Sequence, residues 1–232
     1  MGILAPEALP QSQDAQNFRD SLIAWGAREG RRFPWRETRD PYPVLLAEVL
    51  LHRTRASQVV PLFERVLDRY PNVPSLAEAP LGQLHVLLYA AGLRWRVDLL
   101  HEMAVAIMER FGGRIPESED DLLSLPGVGH YIASAVRCFA LGRPDAILDT
   151  NTVRVIGRVF AMAVNDSSRR SSRFRHALQP LVDPEQPREF NFALLDLAAA
   201  ICTPKDPRCE VCPLLPFCRT GAARVGGVRS GG

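Results

Sequence analysis

Apolar residues recur every three to four positions along almost the whole chain, and this spacing limits the fold more than any other feature of the sequence. Such spacing is typical of helices that bury one face. No stretch alternates apolar and polar residues for long enough to predict a strand. We therefore predict an all-α protein of about ten short helices. The periodic segments are residues 14–30, 41–54, 56–70, 81–92, 96–113, 129–142, 151–164 and 190–202.

The composition is that of a soluble globular protein, since 47% of the 232 residues are hydrophobic and 23% are charged. No apolar run is long enough to span a bilayer. The first residues, MGILAPEALPQSQDAQ, lack the charged start and apolar core of a secretory signal. We expect a cytoplasmic, monomeric protein with no membrane partner.

The basic residues are almost all arginine, because Lys205 is the only lysine among 28 Lys and Arg residues. The arginines cluster within 28–39, 94–96 and 169–175. Guanidinium groups match phosphate geometry, so these clusters are candidate contacts to a nucleic acid backbone. Solvated helix faces are the alternative, and the net charge of +2 is too small to decide between the two.

Four of the five cysteines fall in the segment CTPKDPRCEVCPLLPFC, as Cys202, Cys209, Cys212 and Cys218, with the spacing C-x6-C-x2-C-x5-C. Disulfides are rare in cytoplasmic proteins, so the spacing indicates a metal site. Structural zinc usually takes two short cysteine pairs, and only one is present here. Four thiolates in one compact loop favour an iron–sulfur cluster, with zinc as the alternative. The fifth cysteine, Cys138, lies among apolar residues and is expected in the core.

The sequence LPGVG at 125–129 joins two helical segments. Glycines permit a tight turn there, and the backbone N–H groups of Gly127, Val128 and Gly129 are expected to face outward beside a helix N-terminus. Such a site binds a phosphate without regard to base sequence. A plain corner between two helices is the alternative, because it uses the same residue types.

The hairpin, the cysteine spacing and the aspartate of LDTN together resemble the endonuclease III superfamily of DNA glycosylases, over roughly residues 20–218. The resemblance implies that the four clustered cysteines bind a [4Fe–4S] cluster and that the protein acts on double-stranded DNA with a mismatched or damaged base. The motifs that carry it are FPWR (33–36), AEVLLHRT (47–54), AGL (91–93), LPGVG (125–129), LDTN (148–151), FNFALLDL (190–197) and the cysteine loop.

The same resemblance implies two helical lobes with the DNA cleft and the active site between them. A six-helix lobe with the helix–hairpin–helix is expected at residues 34–145, and an iron–sulfur cluster lobe at 1–33 and 146–218. The Gly-rich segment 219–232 is expected to be a flexible tail.

Two carboxylates are the candidate catalytic groups. In the family the aspartate after the hairpin is catalytic, which implies that Asp149 stabilises the positive charge that develops on the sugar and orients or deprotonates the attacking water. The alternative is an ordinary aspartate N-cap. Glu48 lies in an apolar helical segment, where burial is expected to raise its pKa. It matches a catalytic glutamate of the adenine glycosylase branch and is a candidate general acid; pairing with an arginine is the alternative.

Tyr131 stands where the bifunctional branch of the family has a lysine that forms a Schiff base with the sugar. Tyrosine cannot form an imine, but its ring can stack on a flipped base and its hydroxyl can donate a hydrogen bond. A core tyrosine is the alternative. Further matching implies that His52 and Arg53 enter the gap left by the flipped base, that Leu93 is a wedge, and that Asn151 contacts or orients nearby groups.

Tyr131, together with FPWRETRDPY and LLHRT, resembles the mismatch thymine/uracil glycosylase branch. We therefore predict a monofunctional glycosylase for thymine or uracil opposite guanine. One alternative is an adenine glycosylase acting opposite oxidised guanine. That branch usually carries a further C-terminal domain, and only a short segment follows Cys218 here. A non-catalytic iron–sulfur DNA-binding module is a second alternative, although it predicts loss of the carboxylates, and both Glu48 and Asp149 are present.

Overall fold

A computed structural model describes residues 13–88 and 94–228. These ranges contain helices and connecting segments without a strand, so the all-α prediction is confirmed. No helix in the described part of the chain is long and apolar enough to cross a membrane. The α-helices are α1 (Gln13–Glu29), α2 (Pro41–Leu51), α3 (Ala56–Arg69), α4 (Val73–Ala77), α5 (Leu81–Leu88), α6 (Arg94–Phe111), α7 (Glu119–Leu123), α8 (His130–Phe139), α9 (Thr150–Phe160), α10 (Ser172–Leu178), α11 (Pro187–Ala200) and α12 (Arg219–Val228).

The chain divides into two compact units. The first, which we call the hairpin unit, spans Arg32–Gly142 and contains α2 to α8. The second, the cysteine unit, combines the chain up to Arg31 with the chain from Arg143 onward and contains α1 and α9 to α12.

Helix α2 forms the centre of the hairpin unit, where it packs against α3, α6 and α8. Its start is fixed by Asp40, whose side chain accepts a hydrogen bond from the Tyr42 N–H at 2.9 Å. The Tyr42 hydroxyl donates to the carbonyl of Tyr70 at 2.7 Å, and burial raises the pKa of this phenol. Because almost every residue of α2 is buried, including Glu48, the helix is held rigidly.

Helices α1 and α11 form the main contact within the cysteine unit. They approach so closely that a Cβ atom added to Gly26 would lie 2.5 Å from the Cβ of Ala193. Phe18 and Phe190 are fully buried beside this contact. Helix α9 packs against α11 and α12, so the start of α9 is supported by the same core.

Residues 219–228 form helix α12, so the predicted flexible tail is wrong over this range. The Gly-rich composition indicated disorder, but α12 packs against α9 and against the 3-10 turns of the cysteine loop. Gly221 allows the approach, because its added Cβ would lie 3.3 Å from the sulfur of Cys218. Tertiary contacts therefore outweigh the weak helix propensity of this segment.

Candidate functional site

The four clustered cysteines line one cavity, together with Arg158 and Arg224. Helix α12 contributes part of the wall through Thr220 and Gly221. In residues 13–88 and 94–228, no three His, Cys, Asp or Glu side chains are placed so that they could hold one metal ion. The cysteines thus share a cavity without converging on one point.

Hydrogen-bond donors reach three of these sulfur atoms. Arg158 Nη1 lies 3.3 Å from Cys202 Sγ, and the Gly221 N–H donates to Cys218 Sγ at 3.2 Å. Burial raises the pKa of the Cys212 thiol to about 11, although a hydrogen bond from the Leu214 backbone opposes the change. A bound group must therefore displace protons from buried thiols, and the donors partly stabilise the resulting thiolates. This donor set fits an iron–sulfur cluster.

Asp149 is the N-cap of α9 and is half-buried. Its Oδ1 accepts hydrogen bonds from the backbone N–H groups of Asn151, at 2.8 Å, and Thr152, at 2.7 Å. Its own N–H donates to Thr152 Oγ1 at 2.9 Å, which completes a capping box. Asp149 therefore does act as an N-cap. Both backbone donors bind Oδ1, so Oδ2 is the carboxylate oxygen that accepts from neither of them.

Asn151 connects Asp149 to the cysteine loop within the cysteine unit. Its Nδ2 donates to Asp149 Oδ2 at 2.7 Å, and its Oδ1 accepts from Arg154 Nη1 at 3.1 Å. Arg154 Nε in turn donates to the carbonyl of Cys202 at 2.8 Å. Burial lowers the pKa of Arg154 from its ordinary value, while the nearby Cys202 and Asp149 oppose this. Asn151 therefore links the Asp149 carboxylate to Arg154, and its predicted role at the DNA stays a prediction.

In the hairpin unit, Gly127 has φ of +75°, a conformation that strongly favours glycine. An added Cβ would also lie 2.4 Å from Leu99 Cδ2, so the turn depends on this residue. The Val128 N–H donates to the carbonyl of Leu125 at 3.2 Å, and the Val128 side chain is buried. The prediction that the Val128 N–H faces a phosphate is therefore wrong, because the turn itself uses this donor.

Gly129 is the N-cap of α8, and no side chain caps this helix. An added Cβ at Gly129 would meet no protein atom within 4 Å. The surface beside the first turn of α8 is thus open at a helix terminus, where anions are stabilised. Tyr131, the second residue of α8, is half-buried there.

Glu48 lies within α2, and His52 and Arg53 follow the last residue of that helix. Glu48 is only 4% exposed, as predicted for a residue in an apolar helix. His52 and Arg53 are exposed, and Arg53 has φ of +61°, which costs about 1–3 kcal/mol for a residue with a side chain. Such strained backbone is concentrated at functional sites. The predicted wedge, Leu93, lies outside the described residues.

Trp95 is a candidate functional residue that the sequence analysis missed. It is 53% exposed, whereas the other two tryptophans, Trp25 and Trp35, are buried. The His52 ring stands edge-on to it with centroids 6.0 Å apart. Arg96, counted among the clustered arginines, is buried behind it and donates to the carbonyl of Leu50 at 3.1 Å. The sequence signal that could have identified Trp95 was its position two residues after the predicted wedge, Leu93.

Comparison with known proteins adds to this geometry. The profile of the HhH-GPD superfamily base excision DNA repair protein matches residues 46–180. The chain is 39% identical over 217 residues to a thymine/uracil-DNA glycosylase of Pyrobaculum aerophilum, an alignment that covers 91% of this chain and 94% of that protein. It is 34% identical over 216 residues to an adenine DNA glycosylase of Rattus norvegicus, covering 89% of this chain and 42% of that protein.

A solved structure of a thermostable thymine-DNA glycosylase has the same architecture, with a TM-score of 0.85 and 32% sequence identity. The superposition covers 90% of this chain and 97% of that chain.

Proposed function

The chain belongs to the HhH-GPD superfamily of base excision DNA repair proteins, and on that premise we propose that it is a monofunctional DNA glycosylase that removes thymine or uracil mispaired with guanine. The observation that carries the proposal is the Asp149 carboxylate, which three hydrogen bonds hold in one orientation at the start of α9. The similarity to thymine/uracil-DNA glycosylases supports the choice of base.

Asp149 has the chemistry that breaking a glycosidic bond requires. The transition state carries positive charge on the sugar, and a fixed carboxylate stabilises that charge without reorganising. Oδ2 accepts a hydrogen bond from the Asn151 side chain and has remaining acceptor capacity for an attacking water. The base must leave the helical stack first, and a mispair lowers the cost of flipping.

The hairpin unit supplies the groups proposed to contact the base and its former partner. Tyr131 stacks on the flipped pyrimidine, and Glu48 acts as a general acid where the leaving base needs a proton. Thymine and uracil can depart as anions, so Glu48 matters more for an adenine leaving group. Arg53 and His52 donate to the acceptors of the orphaned guanine, for which arginine is a common partner.

We also propose that Cys202, Cys209, Cys212 and Cys218 hold a [4Fe–4S] cluster. Their lining of one common cavity supports this, and four thiolates in one compact loop favour an iron–sulfur cluster over zinc. Bound there, the cluster supplies a cross-link between distant parts of the loop. The chain's own contribution is to supply the thiolates and to direct the Arg158 and Gly221 donors at them.

A panel of mismatched duplexes tests the choice of substrate. We expect single-turnover excision of uracil and thymine opposite guanine to be faster than excision of adenine opposite guanine or 8-oxoguanine, by about tenfold or more. Similarity to adenine DNA glycosylases and the buried Glu48 favour adenine as the second candidate. Faster release of adenine than of either pyrimidine would assign the protein to that second activity.

Borohydride trapping tests the monofunctional mechanism. A Schiff base needs a primary amine at the sugar, and the only lysine, Lys205, is an exposed residue of the cysteine loop. We expect no efficient covalent adduct with product DNA, and an intact strand after excision. The lysine-free variant Lys205→Arg is the matched control and should behave identically. Efficient trapping that disappears in Lys205→Arg would contradict the proposal and identify the lyase residue.

A further inference from the structure

We propose that Ser167–His176, which we call the arginine segment, is a second binding surface for the phosphate backbone of duplex DNA, outside the contacts at the flipped base. The inference rests on the proposed function, because the substrate duplex is the polyanion that it binds. The segment contains Arg169, Arg170, Arg173 and Arg175 and comprises a 3-10 turn at Ser168–Arg170 and most of α10.

These four arginines differ in use from three other arginines of the cysteine unit. Arg154, Arg158 and Arg208 donate to backbone carbonyls and hold the cysteine loop in place. Across residues 13–88 and 94–228, by contrast, the side chains of the four arginines in the arginine segment form no hydrogen bond, ion pair or ring contact. Arg169, Arg170 and Arg173 are exposed, and Arg175 is half-buried. Their guanidinium donors are therefore available to an external acceptor.

The backbone that carries these side chains is firmly anchored. Ser168 is 3% exposed, its hydroxyl accepts from the Asn165 N–H at 2.9 Å, and the Ser167 N–H donates to Asn165 Oδ1 at 3.0 Å. Phe174 and Leu178 are buried in the core of the cysteine unit. Only the side chains need to be ordered on binding, which limits the entropic cost of the complex.

The charge of the segment selects an anionic partner. Asp166 is the nearest acidic residue in sequence, against four arginines within seven positions. Guanidinium groups match phosphate oxygens in geometry and remain charged at all relevant pH values. Repeated phosphates along a duplex offer several acceptors to four arginines that are clustered in sequence, which a single small anion does not.

Within the described residues, none of the four arginines hydrogen-bonds to Asp149. That carboxylate caps the start of α9 and accepts from Asn151 and Thr152, whereas the arginine segment packs against α9 through α10 and a 3-10 turn. The surface should therefore contribute to binding of the duplex and not to the chemical step.

The test compares a triple variant, Arg169→Gln, Arg170→Gln and Arg173→Gln, with the unaltered protein on a long G·T duplex of about 30 base pairs. We expect the variant to bind this long duplex at least about tenfold more weakly, with a shallower dependence of log K on log salt by about 0.9 for each lost phosphate contact. The saturated single-turnover rate should not change.

A triple variant with the same loss of charge, Arg65→Gln, Arg69→Gln and Arg114→Gln, controls for net charge and should keep nearly full affinity for the long duplex. Equal losses in the two variants, or unchanged binding of the long duplex, would overturn the proposal. So would tighter binding of polyglutamate than of a duplex of equal charge, which would indicate an acidic protein partner. Failure of the glycosylase proposal appears separately, as absent base excision by the unaltered protein.

Discussion

Replacing Asp149 with asparagine should lower the single-turnover rate of base excision by roughly 10²- to 10⁴-fold and leave duplex affinity nearly unchanged. Asparagine is also a good N-cap, so its side-chain oxygen can still accept from the N–H groups of Asn151 and Thr152 and preserve the start of α9. The substitution removes the negative charge that stabilises the sugar cation. Single-turnover kinetics with a G·T or G·U duplex measure the rate, and fluorescence anisotropy measures the affinity.

The matched control is Asp40→Asn, because Asp40 is likewise an N-cap aspartate and accepts from the Tyr42 N–H. This variant should retain the full excision rate, which separates loss of a cap from loss of catalysis. Glu48→Gln should lower the rate less for thymine and uracil than for a base that leaves only after protonation. A fully active Asp149→Asn protein would show that the carboxylate only caps α9.

Removing one ligand of the proposed cluster should have the largest effect on stability. We expect Cys212→Ala to lose iron and sulfide and to destabilise the cysteine unit by about 4–5 kcal/mol, because the bound cluster contributes its binding free energy to folding. The buried Leu214 and the hydrogen bonds from Arg154, Arg158 and Arg208 would still hold part of the loop. Metal and sulfide analysis of anaerobically purified protein measures the cluster, and denaturant unfolding followed by circular dichroism measures stability.

Cys138→Ala is the matched control, because Cys138 is fully buried in the hairpin unit and lies outside the cysteine cavity. It should keep its iron and sulfide and lose only about 1 kcal/mol from the smaller side chain. Zinc without iron or sulfide in the unaltered protein would contradict the cluster assignment. Unchanged stability of Cys212→Ala after complete loss of iron would contradict a structural role for the cluster.

The features that the sequence determined by itself depend on residues close together in the chain. The three-to-four spacing predicted the helices. Ser118, a typical N-cap residue, caps α7 by accepting from the Asp121 N–H at 3.1 Å. The burial of Glu48 followed from its apolar neighbours, and the family followed from short motifs in a fixed order. The four cysteines of one loop line one cavity because a short connecting chain cannot separate them far.

Only the tertiary structure decided how donors and acceptors distant in sequence are paired. The Arg154 guanidinium joins Asn151 to the Cys202 carbonyl, a contact between residues 48 positions apart that no local pattern encodes. Packing against α9 orders α12 despite its glycines. The Val128 N–H donates within the hairpin turn and does not face the predicted phosphate site. The arginines likewise form two groups that only the tertiary structure distinguishes. Those facing a backbone carbonyl are structural, those facing solvent remain available for a ligand, and the sequence alone does not distinguish the two because both carry the same side chain.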